Sequence, residues 1–232
     1  MTSVPARRKR SQRGSGELLR DEIVAAARDL LAESGSSDAV SIRRVADAVG
    51  VTPPSIYLHF ADKWALLEAV VSTVFEELDR AMLAAAEGIE DPLAVLCAYG
   101  LAYVDFAVEH PEHYRLATME RHSELDGMSN LDHALSDSAF IHMLDAVSAC
   151  MAAGLYAQGD PLPLAMSLWA AAHGVASLLI TKPFLPWGDR RAFATRALGS
   201  AAMGLAVIDM HGGEMTPEQG RAWIGDEWAR QR

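Results

Sequence analysis

Apolar positions along this 232-residue chain recur every three to four residues almost throughout, the period of helices with one buried face. No segment alternates apolar and polar residues for long, so the fold class expected is all-α. Leu19, Ile23, Ala27, Leu30 and Leu31 form one stripe over residues 16–34, and Gly35 is suited to the left-handed position that closes a helix. Ile42, Val45, Ala46 and Val49 fall at i, i+3, i+4 and i+7 behind Ser41, a good N-cap, and Gly50 stops that second helix. Then comes V-T-P-P-S-I-Y-L-H-F, residues 51–60. Thr52 can cap a third helix, and Pro53 sits at its first position, where a missing N–H costs nothing. With Ile56 and Phe60 inward, Pro54, Ser55, Tyr57 and Leu58 turn outward at ~100° per residue. A short helix that starts sharply and shows an aromatic and an aliphatic side chain on its open face is made to touch something outside.

Longer helices follow. One spans 62–87 with Trp64, Leu67, Val70, Val71, Val74, Phe75 and Leu78 along it, and another opens at Asp91-Pro92 and ends before Pro111. A short helix is expected at 112–119, a polar loop in E-R-H-S-E-L-D-G-M-S-N, and a long helix at 131–158 stopped by Gly159. Asp160-Pro161 begins a helix to Thr181, another covers 189–210, and T-P-E-Q at 216–219 is a capping box opening a last helix to Arg230. The most apolar run, L-P-L-A-M-S-L-W-A-A-A-H-G-V-A-S-L-L-I, contains His173 and several small residues. It reads as a buried helix, and no stretch is expected to approach the roughly 20 uncharged apolar residues of a membrane span.

The net charge of −11 divides unevenly. Residues 1–60 carry nine Lys and Arg against seven Asp and Glu, and the remainder eleven against twenty-four, so a +2 segment precedes a −13 body. Five basic and no acidic residues fall within the first thirteen, Arg7, Arg8, Lys9 and Arg10 in a row. Alone, such a run is a solvated tail; beside a DNA-binding element it is an electrostatic arm for phosphates. The N-terminus lacks the apolar core of a signal peptide, so a cytoplasmic protein is expected. Cys97 and Cys150 are isolated, which suits a reducing compartment and argues against a disulfide framework or zinc site.

A helix, a tight Gly-centred turn and a second helix with an open polar face describe a helix-turn-helix. Residues 41–67, S-I-R-R-V-A-D-A-V-G-V-T-P-P-S-I-Y-L-H-F-A-D-K-W-A-L-L, closely resemble that motif in the TetR family of transcriptional regulators. The match is carried by Ala46, Gly50 and Val51 at the turn, Ile56-Tyr57, His59-Phe60, Lys63 and Leu66-Leu67. The resemblance implies a base contact from Arg43 and a phosphate contact from Ser41. It places Thr52, Pro53, Pro54, Ser55, Tyr57, Leu58 and His59 at DNA-facing or backbone-contacting positions, and Lys63 on a phosphate. The chemistry agrees: Arg grips guanine bidentately, Ser, Tyr and Lys suit phosphate oxygens, and Pro54 and Leu58 offer only apolar contact, for instance to a thymine methyl. Many relatives carry a polar or basic residue at Pro53 and Arg or Trp at Leu58. Hydrogen-bonded readout from this helix is therefore weak, and weight shifts to Arg43, to DNA shape and to the basic arm as a backbone or minor-groove contact.

Beyond that motif, H-P-E-H-Y-R-L and a Trp-x-x-x-His-Gly helix at Trp169, His173 and Gly174 resemble the family's C-terminal ligand domain. The resemblance implies a basic arm at 1–15, a DNA-binding domain at 16–61 and a ligand-binding and dimerisation domain at 62–232. Tyr99, Tyr103, Phe106, Tyr114, Met143, Met151, Trp169 and His173 are the candidate ligand contacts, with His173 the first choice for a polar anchor. Singly, each such residue is more often core than ligand contact; as a set they suit an apolar pocket. The many Ala and Gly residues of the helices at 161–181 and 189–210 suit close packing between two subunits. The expectation is a ligand-responsive regulator, most simply a repressor. It would bind palindromic operator DNA as a homodimer and be released by a small, mostly apolar effector. The alternative is a DNA-binding regulator whose C-terminal domain serves protein contacts with no inducer. No G-x-S-x-G, G-x-G-x-x-G, Walker loop or H-E-x-x-H is present, so neither an enzyme nor a cofactor is expected. Glu109, His110, Glu112 and His113 cluster by Pro111, and a solvated helix junction is the simpler reading than a metal.

Overall fold

A computed structural model describes residues 15–118 and 138–232. The basic arm with Arg7–Arg10, the expected loop at 120–130 and the start of the helix expected from 131 lie outside them. The described elements are α1 (Ser15–Ser34), a 3-10 turn (Ser37–Ala39), α2 (Ile42–Val49), α3 (Pro53–Tyr57), α4 (Lys63–Ala86), α5 (Pro92–Glu109), α6 (Pro111–Thr118), α7 (Ser138–Ala152), α8 (Leu162–Thr181), α9 (Arg190–Met210) and α10 (Pro217–Arg230). There is no strand among the described residues.

Local chemistry sets the ends of these helices. The carboxylates of Asp62, Asp91 and Asp189 accept from the amides three residues on, Ala65, Ala94 and Ala192, at 2.8, 2.7 and 2.9 Å. That satisfies donors the first turn leaves without a helical partner. Thr216 and Gln219 form a complete capping box, each side chain accepting from the other's amide. One expected boundary moves. The helix expected to run to Gly159 ends at Ala152, because Gly154 takes the left-handed conformation (φ 76°) and the Leu155 amide closes back on the Cys150 carbonyl at 3.0 Å.

The described residues fall into two compact units, the first within Met1–Arg80 and Phe106–Ser138, the second within Ala81–Asp105 and Ala139–Arg232. The division falls inside α4 and α5, so each of these helices contributes residues to both. In the first unit α1 buries Ile23, Ala27 and Leu31, α2 buries Val45 and Ala46, and Ile56 and Phe60 follow. Leu66, Leu67, Val70, Val74 and Leu78 of α4 complete the inward stripe. Trp64, expected along the apolar stripe of α4, is instead 45% exposed. At ~100° per residue it stands at the edge of that stripe, about 60° from Leu67 but about 160° from Leu66. An Arg28–Glu77 ion pair ties α1 to α4, and the Arg20 guanidinium lies 5.1 Å from the Phe60 ring centre.

The helix junction at Pro111 is less solvated than expected. His113 is buried, with Nε2 3.3 Å from the Arg28 carbonyl, while Glu112 pairs with Arg115. Burial pushes the His113 pKa below its ordinary value, and the neighbouring Arg28 and His110 charges act the same way against the opposing effects of the backbone bond and Glu77. Among the described residues no group of three or more His, Cys, Asp or Glu is placed to hold a metal.

In the second unit α8 and α9 pack on each other. By length and composition α5, α8 and α9 each reach what a bilayer span requires, contrary to the sequence expectation. Charged residues in α5 and α9, and His173 with several small residues in α8, argue against a span in the sequence, and all three helices contribute walls to one cavity. Cys97 and Cys150 are free thiols, and burial raises the pKa of both, Cys150 to about 11.

Candidate functional site

The turn between α2 and α3 rests on one residue. Gly50 adopts φ 75° and ψ 32°, its amide reaches the Ala46 and Asp47 carbonyls, and the Val51 amide bonds Ala46 O at 2.9 Å. A side chain at residue 50 would meet no atom within 4 Å, so the demand for glycine is one of backbone conformation, not space. Ser41 caps α2 as expected, its hydroxyl accepting from the Arg44 amide at 3.3 Å. Arg44 turns back and donates to the Ala39 carbonyl at 2.7 Å, whereas Arg43 is exposed.

Thr52 occupies the N-cap position of α3, but its side chain caps nothing. The reason lies in the next two residues. Pro53 and Pro54 have no N–H, and the Ser55 amide is already taken by the Thr52 carbonyl at 2.8 Å. The Thr52 hydroxyl pairs with the Ser55 hydroxyl at 3.0 Å instead. Of the residues expected on the open face, Leu58 is 84% and Tyr57 54% exposed, Thr52 and Pro54 are exposed, and Pro53, Ser55 and His59 are half-buried. Ile56 and Phe60 are buried behind them. The Lys63 ammonium lies over the Trp64 ring, 5.7 Å from its centre. An exposed cation from α2, hydroxyls and an apolar tip from α3, and a cation opening α4 make the surface of a helix-turn-helix. Such a surface reaches base edges through a few side chains and phosphates through the rest.

The second unit holds a cavity of about 50 Å³. Four expected ligand contacts line it: Tyr99, Tyr103, Met143 and Trp169. His173 stands behind that wall, its Nδ1 3.2 Å from the Tyr103 hydroxyl, which also accepts from the Trp169 indole N–H at 3.3 Å. Burial lowers the His173 pKa. Met151 is buried outside the lining, and Phe106 and Tyr114 belong to the first unit. Phe106 packs against His110 there, ring centres 4.9 Å apart. Sequence reasoning passed over Met82, Leu96, Cys97, Gly100, Leu168 and Leu198 as lining residues. Helical spacing joins Leu96, Gly100 and Tyr103 on one face of α5, but periodicity marks an inward face without saying where that face meets a void.

Residues 23–70 match the family described as bacterial regulatory proteins, tetR family, and residues 96–200 match the tetracyclin repressor-like C-terminal domain. Among solved structures, a protein of unknown function from Rhodococcus sp. RHA1 is similar at 28% identity and TM-score 0.69, covering 81% of this chain and 95% of that one. The TetR family transcriptional regulator PfmR from Thermus thermophilus shares 20% identity at TM-score 0.58, covering 79% and 98%. The fatty acid degradation regulator FadR from Bacillus halodurans shares 17% at TM-score 0.65, covering 80% and 98%. No curated protein matches the chain. Fold, turn and surface define a helix-turn-helix transcriptional regulator. With one family matched over both its N-terminal and its C-terminal parts, the chain belongs to the TetR family.

Proposed function

We propose that this regulator is a cytoplasmic homodimeric repressor that binds palindromic operator DNA and is released when a small, mostly apolar effector enters the second unit. In this reading residues 16–61 read the DNA, 62–232 bind effector and partner subunit, and Arg7, Arg8, Lys9 and Arg10 supply a phosphate-seeking arm. Ser41, Thr52, Pro53, Pro54, Ser55, Tyr57, Leu58, His59 and Lys63 position the duplex, and Arg43 reads a base.

The observation that carries the effector is the cavity walled by Tyr103 and Trp169. A domain serving only protein contacts has no need of a void with hydroxyl, indole and imidazole gathered at one wall. Its small volume favours the competing reading of a regulator without inducer, since about 50 Å³ is room for only a few waters. In support of the dimer, α9 is largely apolar yet buries only Ala194, Leu198 and Ala202 within the chain. Gly174, Gly199 and Gly204 face open space, as residues kept small for a partner would.

Because Met82 of α4 and Tyr103 of α5 line the cavity, and both helices also belong to the first unit, an effector would act through them. It must bind the released state better than the DNA-competent one, since equal affinity shifts nothing. The test is to select duplexes from random DNA with the purified protein, then titrate the selected duplex with and without a ligand that raises the protein's Tm. Loss of DNA affinity supports the repressor-release reading; a stabilising ligand that leaves it unchanged promotes the competitor.

A further inference from the structure

We propose that the effector is an uncharged amphiphile, a ring or short chain bearing a single hydroxyl or carbonyl that joins the hydrogen-bond chain at Tyr103. This rests on the effector reading above and names the chemistry of that same site. Among the fourteen residues lining the cavity none is Asp, Glu, Lys or Arg. A carboxylate or ammonium drawn in would lose its water without gaining a counter-charge, a cost that excludes it unless it first becomes neutral. The histidine at the wall does not change this. Burial disfavours its imidazolium, so it offers a neutral ring.

Besides the Tyr99 hydroxyl and the Cys97 thiol, which also line the cavity, the polar groups that bond one another gather in one place. Trp169 and His173 stand four apart on α8, one turn, and both reach the Tyr103 hydroxyl from α5, at 3.3 and 3.2 Å. A hydroxyl both donates and accepts, so a ligand O–H or C=O can enter this chain by replacing one of its internal bonds. The rest of the wall is mostly aliphatic, from Met82, Leu96, Met143, Leu168 and Leu198 with several Ala. The cavity must widen to admit a ring, and the two ends differ in freedom. At Gly100 a methyl group would come within 3.2 Å of Leu198 Cδ1, so α5 is already tight against α9 there. Met82 and Met143 are unbranched, and their thioether chains can swing aside.

Four matched probes test this: propylbenzene, 4-propylphenol, 4-propylbenzoate and 4-propylbenzylammonium, their Kd measured by calorimetry on the full chain at neutral pH. The phenol is expected to bind at least about tenfold tighter than either ion, which pays desolvation without a partner charge. Tyr103→Phe should erase the phenol's advantage over propylbenzene while leaving propylbenzene within about threefold of its original Kd. Ala172→Trp should abolish binding by filling the cavity. Met82→Trp, from the yielding wall, is a second filler should the first fail to fold. Tightest binding by the benzoate or the ammonium overturns the proposal and leaves the effector reading standing. So does a phenol advantage that survives Tyr103→Phe, or binding that survives both fillers. If not even propylbenzene binds, the effector reading itself falls and takes this inference with it.

Discussion

Arg43 and Lys63 carry the same charge, but their side chains suit different tasks. The guanidinium of Arg43, exposed near the start of α2, can lie flat against a guanine edge and donate two parallel bonds. The ammonium of Lys63, beside the Trp64 ring, is a point charge that serves any phosphate. Arg43→Ala is therefore expected to relax base preference at one position in each half-site, at a cost of roughly 1–3 kcal/mol on the preferred site. Lys63→Ala should weaken every duplex alike. Selection of random duplexes by each variant separates the two, and an unaltered preference after Arg43→Ala would make Arg43 a phosphate contact. Gly50→Ala poses a purely conformational question, since nothing stands near the added methyl. It should cost about 1–2 kcal/mol of stability in urea unfolding, the penalty of a left-handed L-residue.

At the scale of elements, α6 and α1 are joined by the buried His113 and the Arg28 carbonyl. A histidine whose folded pKa lies below its unfolded value binds its proton more readily when unfolded. Stability is then full above the unfolded pKa of about 6.5 and is lost as pH falls from there through the lowered folded value. Urea midpoints between pH 7.5 and 5 should decline, and His113→Gln should flatten part of that decline; His173, shifted the same way, supplies another part. A slope identical in His113→Gln would remove the residue from the account. The helices themselves were legible in the chain because their caps are local: Asp62, Asp91, Asp189 and the Thr216–Gln219 box each act within three residues. Gly154 was missed because both it and Gly159 are plausible stops, and only the closing bond to Cys150 distinguishes them. The open face of α3 was legible for the same reason as the caps, being fixed by two prolines and a period. The cavity was legible only in part, since Met82, Tyr103 and Trp169 meet there from three helices separated by sequence distances that no pattern spans.

For the whole molecule the uneven charge is the leading fact: a −13 body repels DNA, and the role proposed for the basic start is to offset that repulsion. Deleting residues 1–13 is expected to flatten the salt dependence of DNA binding by up to about five counterions' worth per protomer. An unchanged slope would show the arm to be a bystander. Sedimentation should give a dimer, and Gly199→Trp, directed into open space in the isolated chain, should disperse it without lowering helix content. The account as a whole turns on coupling between the cavity and the helix-turn-helix, and one titration addresses it directly. DNA affinity for a selected duplex is measured across increasing concentrations of a ligand that raises the Tm and fails to do so in Ala172→Trp. The account predicts that affinity falls by at least about tenfold at saturation; constant affinity through the whole titration would contradict it.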